Sequence, residues 1–424
     1  MSSHSTTGFS KFFLAAGNAN NAEIGQFLHN IVDLGISFKS SETVSAEGIQ
    51  PEREVVSFDR MPESGLSYSE LAQAFSQIAY KSSNWGSPNF LGFPDTGNNV
   101  AGLAASILTP LLNQNMANQN ICSPEATFIE MEVVHWMRSA LGYSVPPTYS
   151  MASEIGGVLT LGGCLSNTIS LVAARERLFP GSGLGGIPVL PSKVRVLVPN
   201  VIEHYSIRSA MAWLSLGERN VVRVPVDNEF RMDQDALERI IGEEKAHGNS
   251  ILACVAYAGD SRSMRIDHLD SLADVLQKHG IWFHVDACHG GQLAFSELHR
   301  SKLHGIEKAD SITLDPHKVL ILPCMCSSVL TRLPCFGTYL GSVPPVYVLH
   351  RALQGSSRPR RNGDKLRPDS QRPVVSWSHH SLYRIEGVRR PQALGHHQVL
   401  RPAGPWPADR RASRAYPRHS VRDW

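Results

Sequence analysis

The sequence predicts an α/β fold with a mostly parallel central sheet buried on both faces. Three observations predict it. Short apolar runs, often β-branched, alternate along the chain with segments whose apolar residues recur at helical spacing. The helical segments are about ten residues or longer, as crossovers between parallel strands require. The strand runs are nearly continuous in apolar residues, the pattern of strands covered from both sides.

Along the chain, residues 1–60 are polar and weakly patterned and are expected to form an N-terminal arm. From Leu66 the pattern becomes regular. Helices are expected over 71–80 (Leu71, Phe75, Ile78), 100–112 (Leu103, Ile107, Leu111) and 126–141 (Ile129, Val133, Trp136). A strand over 157–161 precedes a helix over 167–178 (Leu171, Ala174, Leu178). The valine-rich run 194–198 leads to a helix over 206–216, and 221–224 to one over 234–246. Strand 251–257 is followed by a helix over 269–278, and strands close the series at 281–285, 311–314 and 325–330. There is no internal repeat.

Composition excludes several classes. The 424 residues carry 40 Lys plus Arg against 38 Asp plus Glu, a net charge of +2, which argues against a whole-chain nucleic-acid or membrane-surface protein. Seven cysteines without regular spacing fit reduced cytosolic thiols, and no CxxC pair predicts a metal site. Cys324 and Cys326 are expected to pack within the last strand. No apolar run approaches the roughly 20 residues of a membrane span. The N-terminal MSSHSTTGFSKFFLAAGN makes a poor signal peptide and, though Ser-rich and acid-poor, lacks the arginines of a transit peptide. A cytoplasmic protein is expected.

The total charge conceals an uneven distribution. Residues 351–424 hold 15 Arg and one Lys against five acids, a net of +11, so the first 350 residues carry −9. The same stretch has eight prolines and five histidines and no sustained apolar period. Its composition predicts an irregular Arg/Pro-rich tail over 341–424. A nucleic-acid-binding arm is one reading. The abrupt preference for Arg over Lys favours another, out-of-frame translation or a mis-assigned exon.

In an open α/β sheet, ligands bind beyond the carboxyl ends of the strands, so the residues after each strand carry the chemistry. Four such positions suggest one site. Gly162-Gly163-Cys164-Leu165-Ser166-Asn167 is a glycine turn opening a helix, whose free N–H groups can hold a phosphate; alone it is a common turn. In Ile281-Trp282-Phe283-His284-Val285-Asp286-Ala287-Cys288-His289-Gly290-Gly291 an apolar strand ends in a carboxylate that needs a cationic partner such as a protonated ring nitrogen; alone, Asp286 could equally cap a turn. Asp315-Pro316-His317-Lys318 places a lysine at the mouth of the sheet, a candidate Schiff-base nucleophile. Most lysines are surface lysines, but this one follows the carboxylate strand by 32 residues. Glu203-His204-Tyr205-Ser206 offers an imidazole face to a planar ligand, or else a plain helix start.

The order GGCLSN, EHYS, HVDACHGG, DPHK resembles the pyridoxal 5′-phosphate-dependent group II amino-acid decarboxylases. The similarity runs from about Ser87 to Arg332 and includes SPNFLGF and SPEATFIEMEVVHWM. It implies a fold-type-I large domain over residues 61–340, a homodimer and a small-molecule amino-acid substrate. By resemblance, Lys318 holds the cofactor as an internal aldimine, Asp286 keeps the pyridine nitrogen protonated, and His204 stacks on the ring. Cys164, Leu165, Ser166 and His317 hold the phosphate; Ser261 and Cys288 complete the cofactor contacts; Phe93 lines the substrate, and Tyr339 matches the proton-donating tyrosine of the catalytic lid. Two departures stand out: Gly259-Asp260-Ser261 replaces the usual Gly-Thr-Thr and brings an extra acid to the site, and Cys288-His289 replaces Ala followed by an aromatic residue. Beyond residue 340 nothing matches the family's C-terminal small domain. The implied activity is decarboxylation of an L-amino acid to the amine and CO2. The alternatives are a catalytically impaired or truncated gene product and a relative performing oxidative deamination to an aldehyde.

Overall fold

The structure, a computed structural model, describes residues 13–333 apart from 15, 18, 46–64, 93, 116–120, 188–192 and 202. Phe93, Tyr339 and the Arg/Pro-rich stretch therefore lie outside the described residues.

Nine helices and seven strands are described. Before the sheet come α1 (Asn21–Lys39), α2 (Tyr68–Lys81), α3 (Val100–Leu112) and α4 (Pro124–Ala140). The alternating part follows: β1 (Gly157–Thr160), α5 (Gly163–Leu178), α6 (Ser182–Gly185), β2 (Val194–Pro199), α7 (Tyr205–Trp213), β3 (Val221–Val224), α8 (Gln234–Ala246), β4 (Ser250–Tyr257), α9 (Leu269–His279), β5 (Trp282–Asp286), β6 (Ser311–Leu314) and β7 (Ser327–Thr331). One sheet contains all seven strands in the order β1-β7-β6-β5-β4-β2-β3. Strand β7 runs antiparallel to both β1 and β6, and the remaining pairings are parallel.

The expected burial on both faces is present. Along β4, Ile251, Cys254 and Ala256 join one apolar cluster while Leu252, Ala253 and Val255 join the other. The first cluster packs against Met131 and Val134 of α4, Leu237 and Ile241 of α8, and Leu272 and Leu276 of α9. The second packs against Leu171 of α5 and Ile207 and Met211 of α7. Each of these side chains contributes about 1.5–3 kcal/mol on full burial, so the helices are held by the sheet more than by propensity.

Three local differences have physical causes. The stretch expected as an arm contains α1, a 19-residue helix. Its apolar residues sit among polar ones on most turns, and only Ile24 is buried, which weakens the pattern in the sequence. Helix α5 begins at Gly163, four residues before the expected start, because the glycine turn is itself the first helical turn. Strand β7 begins at Ser327, opposite Thr160, where the β1 ladder ends. Cys324 and Cys326 consequently lie in the loop before β7, with Cys324 exposed, and do not pack in a strand as expected.

The pieces before and after the alternating part are clamped by one side chain. Arg138 of α4 is fully buried and donates to the backbone carbonyls of Ile155 at 2.7 Å and of Ser144, Thr331 and Arg332 at 3.1 Å each. The guanidinium's fan of donors suits four carbonyls converging from separate segments.

Candidate active site

Parallel strands β4, β5 and β6 end side by side, with Tyr257 opposite Asp286 and Asp286 opposite Thr313. The ends of β5 and β6, with the connection that follows β2, bring together three of the expected residues. Asp286 is the last residue of β5 and is buried. Its Oδ2 accepts from Asn167 Nδ2 at 2.8 Å and faces His204 Nε2 at 3.5 Å, while Oδ1 accepts from the Cys288 amide at 3.2 Å. Burial pushes this carboxyl up, but His204, Cys288, Lys318 and Asn167 together outweigh it and hold it at about 2. Asp286 is thus a buried, ionised carboxylate at neutral pH.

His204 caps the start of α7, and one face of its ring stacks on Tyr257, with centroids 4.9 Å apart and planes inclined by 15°. A planar ligand can use only the other face. Burial lowers its pKa against the opposing effect of Asp286, and its Nε2 has no hydrogen-bond partner.

Lys318 follows β6 in the turn closed by its amide to the Asp315 carbonyl at 3.0 Å. Its Nζ lies 2.9 Å from Asp315 Oδ2, in a pair whose carboxylate is almost fully buried. Burial pushes the lysine pKa down, but Cys288, Asp315 and Asp286 raise it above the ordinary value. Because burial also pushes the Cys288 thiol well up and keeps it protonated, the charges that hold the ammonium are those of Asp315, in contact with it, and of Asp286 further off.

The glycine turn meets this lysine end. A Cβ on Gly163 would come within 2.8 Å of both Asp315 Oδ2 and Cys288 Sγ, so only glycine lets α5 start this close to the β5 and β6 loops. The neighbouring loop is equally tight: a Cβ on Gly290 would fall 2.3 Å from the Ala258 carbonyl oxygen.

The remaining expected residues are placed less uniformly. Cys164 is half-buried at the α5 start, and Leu165 is exposed. Ser166 turns inward, its hydroxyl 2.6 Å from Thr160 Oγ1 and 2.8 Å from Ser327 Oγ. Ser327 in turn donates to Asp315 Oδ1. His317 Nδ1 is 2.5 Å from the Cys326 carbonyl oxygen, and its Nε2 lies 3.9 Å from Asp315 Oδ2. Ser261 is exposed in a turn. The extra acid beside it, Asp260, is used by that turn: it accepts from the amides of Arg262 and Ser263 at 2.8 Å each and from the Ser263 hydroxyl.

Sequence reasoning missed three residues. Asn167 links Asp286 to α7 through Ser206 Oγ at 2.9 Å. His284, fully buried inside β5, places Nε2 3.0 Å from Asn167 Oδ1, and burial holds its pKa down at about 4. Asp315 anchors Lys318. The available signal was the presence of polar residues within apolar segments, since a buried polar group must be partnered.

Among the described residues, no group of His, Cys, Asp and Glu could hold a metal ion, and no helix is long and apolar enough to cross a membrane. The chain is 32% identical over 255 residues to an L-aspartate decarboxylase of Metarhizium robertsii, covering 60% of this chain and 48% of that protein. It is 33% identical over 268 residues to the cysteine sulfinic acid decarboxylase of Mus musculus, covering 63% and 52%. It thus spans about half the length of these curated relatives. The apo structure of mouse CSAD superposes with a TM-score of 0.65 at 29% identity, over 73% of this chain and 64% of that one. Residues 56–350 match the pyridoxal-dependent decarboxylase conserved domain, and the chain belongs to that family.

Proposed function

We propose that this chain uses pyridoxal 5′-phosphate to decarboxylate an L-amino acid. The observation that carries the reading is the ionised Asp286, buried beside His204 and within electrostatic reach of Lys318. The residues fit the cofactor in three respects. A carboxylate that stays ionised when buried complements a protonated pyridine nitrogen. The partnerless Nε2 of His204 lies against that carboxylate, at the place where a ring would be received. The glycine opening of α5 leaves the cradle that a Cβ would fill.

When bound, the cofactor supplies an electron sink for the charge left as CO2 departs. The chain's residues supply the rest. Asp286 would pair with the ring nitrogen and keep its proton in place. The face of His204 turned away from Tyr257 would restrict the ring's tilt. Lys318 Nζ would tether the group once it has given up a proton, for which Asp315 Oδ2, 2.9 Å away, is the carboxylate in contact. The first amides of α5 would hold the phosphate.

The names of the two curated relatives, which carry aspartate and cysteine sulfinate, make amino acids with a second acidic group the first substrates to test. Among the described residues no arginine pairs with Asp286, His204 or Lys318, so aromatic and basic amino acids belong in the same screen. Homodimerisation is part of the proposal; exposed Val100, Ile107, Leu111 and Leu112 along α3 support it as apolar surface suited to a second copy. A cytoplasmic location is proposed with it, supported by the six described cysteines all being free.

The test is reconstitution. The wild-type protein mixed with pyridoxal 5′-phosphate gains an absorption band and a borohydride-reducible adduct at Lys318, and both vanish in Lys318→Ala. Release of amine and CO2 from a candidate amino acid completes the reading, whereas aldehyde as product assigns oxidative deamination. Absence of cofactor binding by wild type refutes it.

A further inference from the structure

Asn167 is buried where α5 meets the sheet and α7, and its side-chain amide makes four contacts at hydrogen-bond distance. Nδ2 donates to Asp286 Oδ2 at 2.8 Å and to Ser206 Oγ at 2.9 Å. Oδ1 accepts from Thr313 Oγ1 at 2.7 Å and faces His284 Nε2 at 3.0 Å. These use every donor and both lone pairs of the amide.

The proton positions follow from one fixed point. An ionised carboxylate only accepts, so the atom of Asn167 at Asp286 is the NH2 group and the atom at His284 is the oxygen. His284 Nε2 must therefore carry a proton. Its Nδ1 lies 2.9 Å from Ser311 Oγ, 3.0 Å from Ser170 Oγ and 3.2 Å from the Ser311 carbonyl oxygen; donating to that carbonyl as well would need a second proton, which burial disfavours, so in the neutral ring Nδ1 accepts from the nearer hydroxyls. Trp282 Nε1 donates to Ser311 Oγ at 2.8 Å, which leaves that hydroxyl's own proton for its neighbours.

The same argument runs outward to His204. Ser206 Oγ accepts from Asn167 and lies 3.1 Å from His204 Nδ1, its one further partner among the described contacts. If Nδ1 held the proton, the bare Nε2 of a neutral ring would point its lone pair at Asp286 Oδ2, 3.5 Å away. The favourable arrangement has the serine donating to Nδ1 and the imidazole proton on Nε2, facing the carboxylate. The titratable groups facing His204 are Asp286 from β5, His284 further along that strand and Tyr257 from β4.

We propose that Asn167 is a positioning residue that sets the tautomers of two histidines at once, holding His204 and His284 as neutral Nε2–H imidazoles while keeping Asp286 ionised. The site then presents a single proton arrangement to a ring nitrogen; this consequence rests on the function proposed above, but the tautomers themselves do not.

The full chain labelled with 15N-histidine, without cofactor, tests the proposal by long-range proton–nitrogen correlation, with His204→Gln and His284→Gln to assign the signals. In wild type both rings show a bare Nδ1 and a protonated Nε2, unchanged between pH 5.5 and pH 8. In Asn167→Leu, Asp286 loses a donor and becomes more basic, so His204 takes up a second proton within that range. Ser206→Ala, which leaves α5 intact, gives a mixture of tautomers at His204 and leaves His284 unchanged. A protonated Nδ1 at His204 in wild type, or signals unaltered in both variants, overturns the proposal. A parallel titration with pyridoxal 5′-phosphate is expected to show binding at least about tenfold weaker in Asn167→Leu. If wild type shows the tautomers but binds no cofactor, the function fails and the positioning role stands.

Discussion

The two ends of the site hold their charges by opposite means. At the Asp286 end the groups in direct contact with the carboxylate are Asn167, the Cys288 amide and His204, and the charge of Lys318 acts from further off. At the Lys318 end the amine is in direct contact with one carboxylate, Asp315, and that pairing favours the protonated form, which cannot act as a nucleophile. The difference teaches which end is ready and which must rearrange. Saturated neutral contacts preorganise a charge without binding it to a particular counter-ion. A buried ion pair has to be broken, or its proton moved, before either partner can do anything else.

Substitutions can break or sharpen that contrast. The largest effect is expected from Lys318→Ala, with complete loss of the reducible adduct. Asp286→Asn comes next: losing one partner of a buried, hydrogen-bonded charge pair costs about 2–5 kcal/mol, read as weaker cofactor binding in an equilibrium titration. Acid should disturb the Asp286 end through His284. Its folded pKa of about 4 lies below the ordinary 6.5, so the unfolded chain binds the proton first. Stability is therefore full above pH 6.5 and declines as the pH falls toward 4, by up to about 3 kcal/mol, measured as the urea midpoint at the two pH values and flattened in His284→Phe. At the other end, Asp315→Asn removes the charge that raises the Lys318 pKa. Reaction of the amine with pyridoxal 5′-phosphate should then begin at lower pH, by about one unit, equivalent to about 1.4 kcal/mol. The smallest change is Thr313→Val, which deletes one donor to Asn167 and should cost about 1 kcal/mol in thermal unfolding. If Asp315→Asn left the pH dependence unmoved, the contrast between the ends would be wrong.

The residues at strand ends were the legible ones. Asp286 and Lys318 follow apolar runs whose length and composition define strands, and the topology then brings their loops to one edge. The helices that cover the sheet were legible for the same reason: Leu237, Ile241, Leu272 and Leu276 repeat at the spacing of one buried face. Asn167 and His284 were not legible, because their meaning depends on which face of α5 and β5 they occupy and on what crosses opposite. The use of Asp260 by its own turn was not legible either, since a carboxylate three residues after a strand can face the site or fold back on the following amides. Ser261 has the position of a useful hydroxyl but sits on the exposed side of that turn. The neighbours of β7 were illegible too, because nothing local shows that residues 327–331 insert between the first strand and the sixth.

That insertion has a consequence for how the chain comes to fold. Among the described residues strand β1 pairs with β7 alone, and Gly157 must wait for Leu330 to find its ladder partner. During synthesis the five parallel strands from β2 to β6 can assemble while β1 remains an unpaired ribbon tethered through α5. Closing so long a loop is slow, and an apolar strand left waiting is open to the wrong partner. The step that joins the first strand to the sheet is also the step that brings Ser327 against Ser166 and Asp315. Folding and completion of the lysine end of the pocket are therefore a single late event, and a nascent chain stopped short of Thr331 would carry Lys318 without the surroundings that hold it.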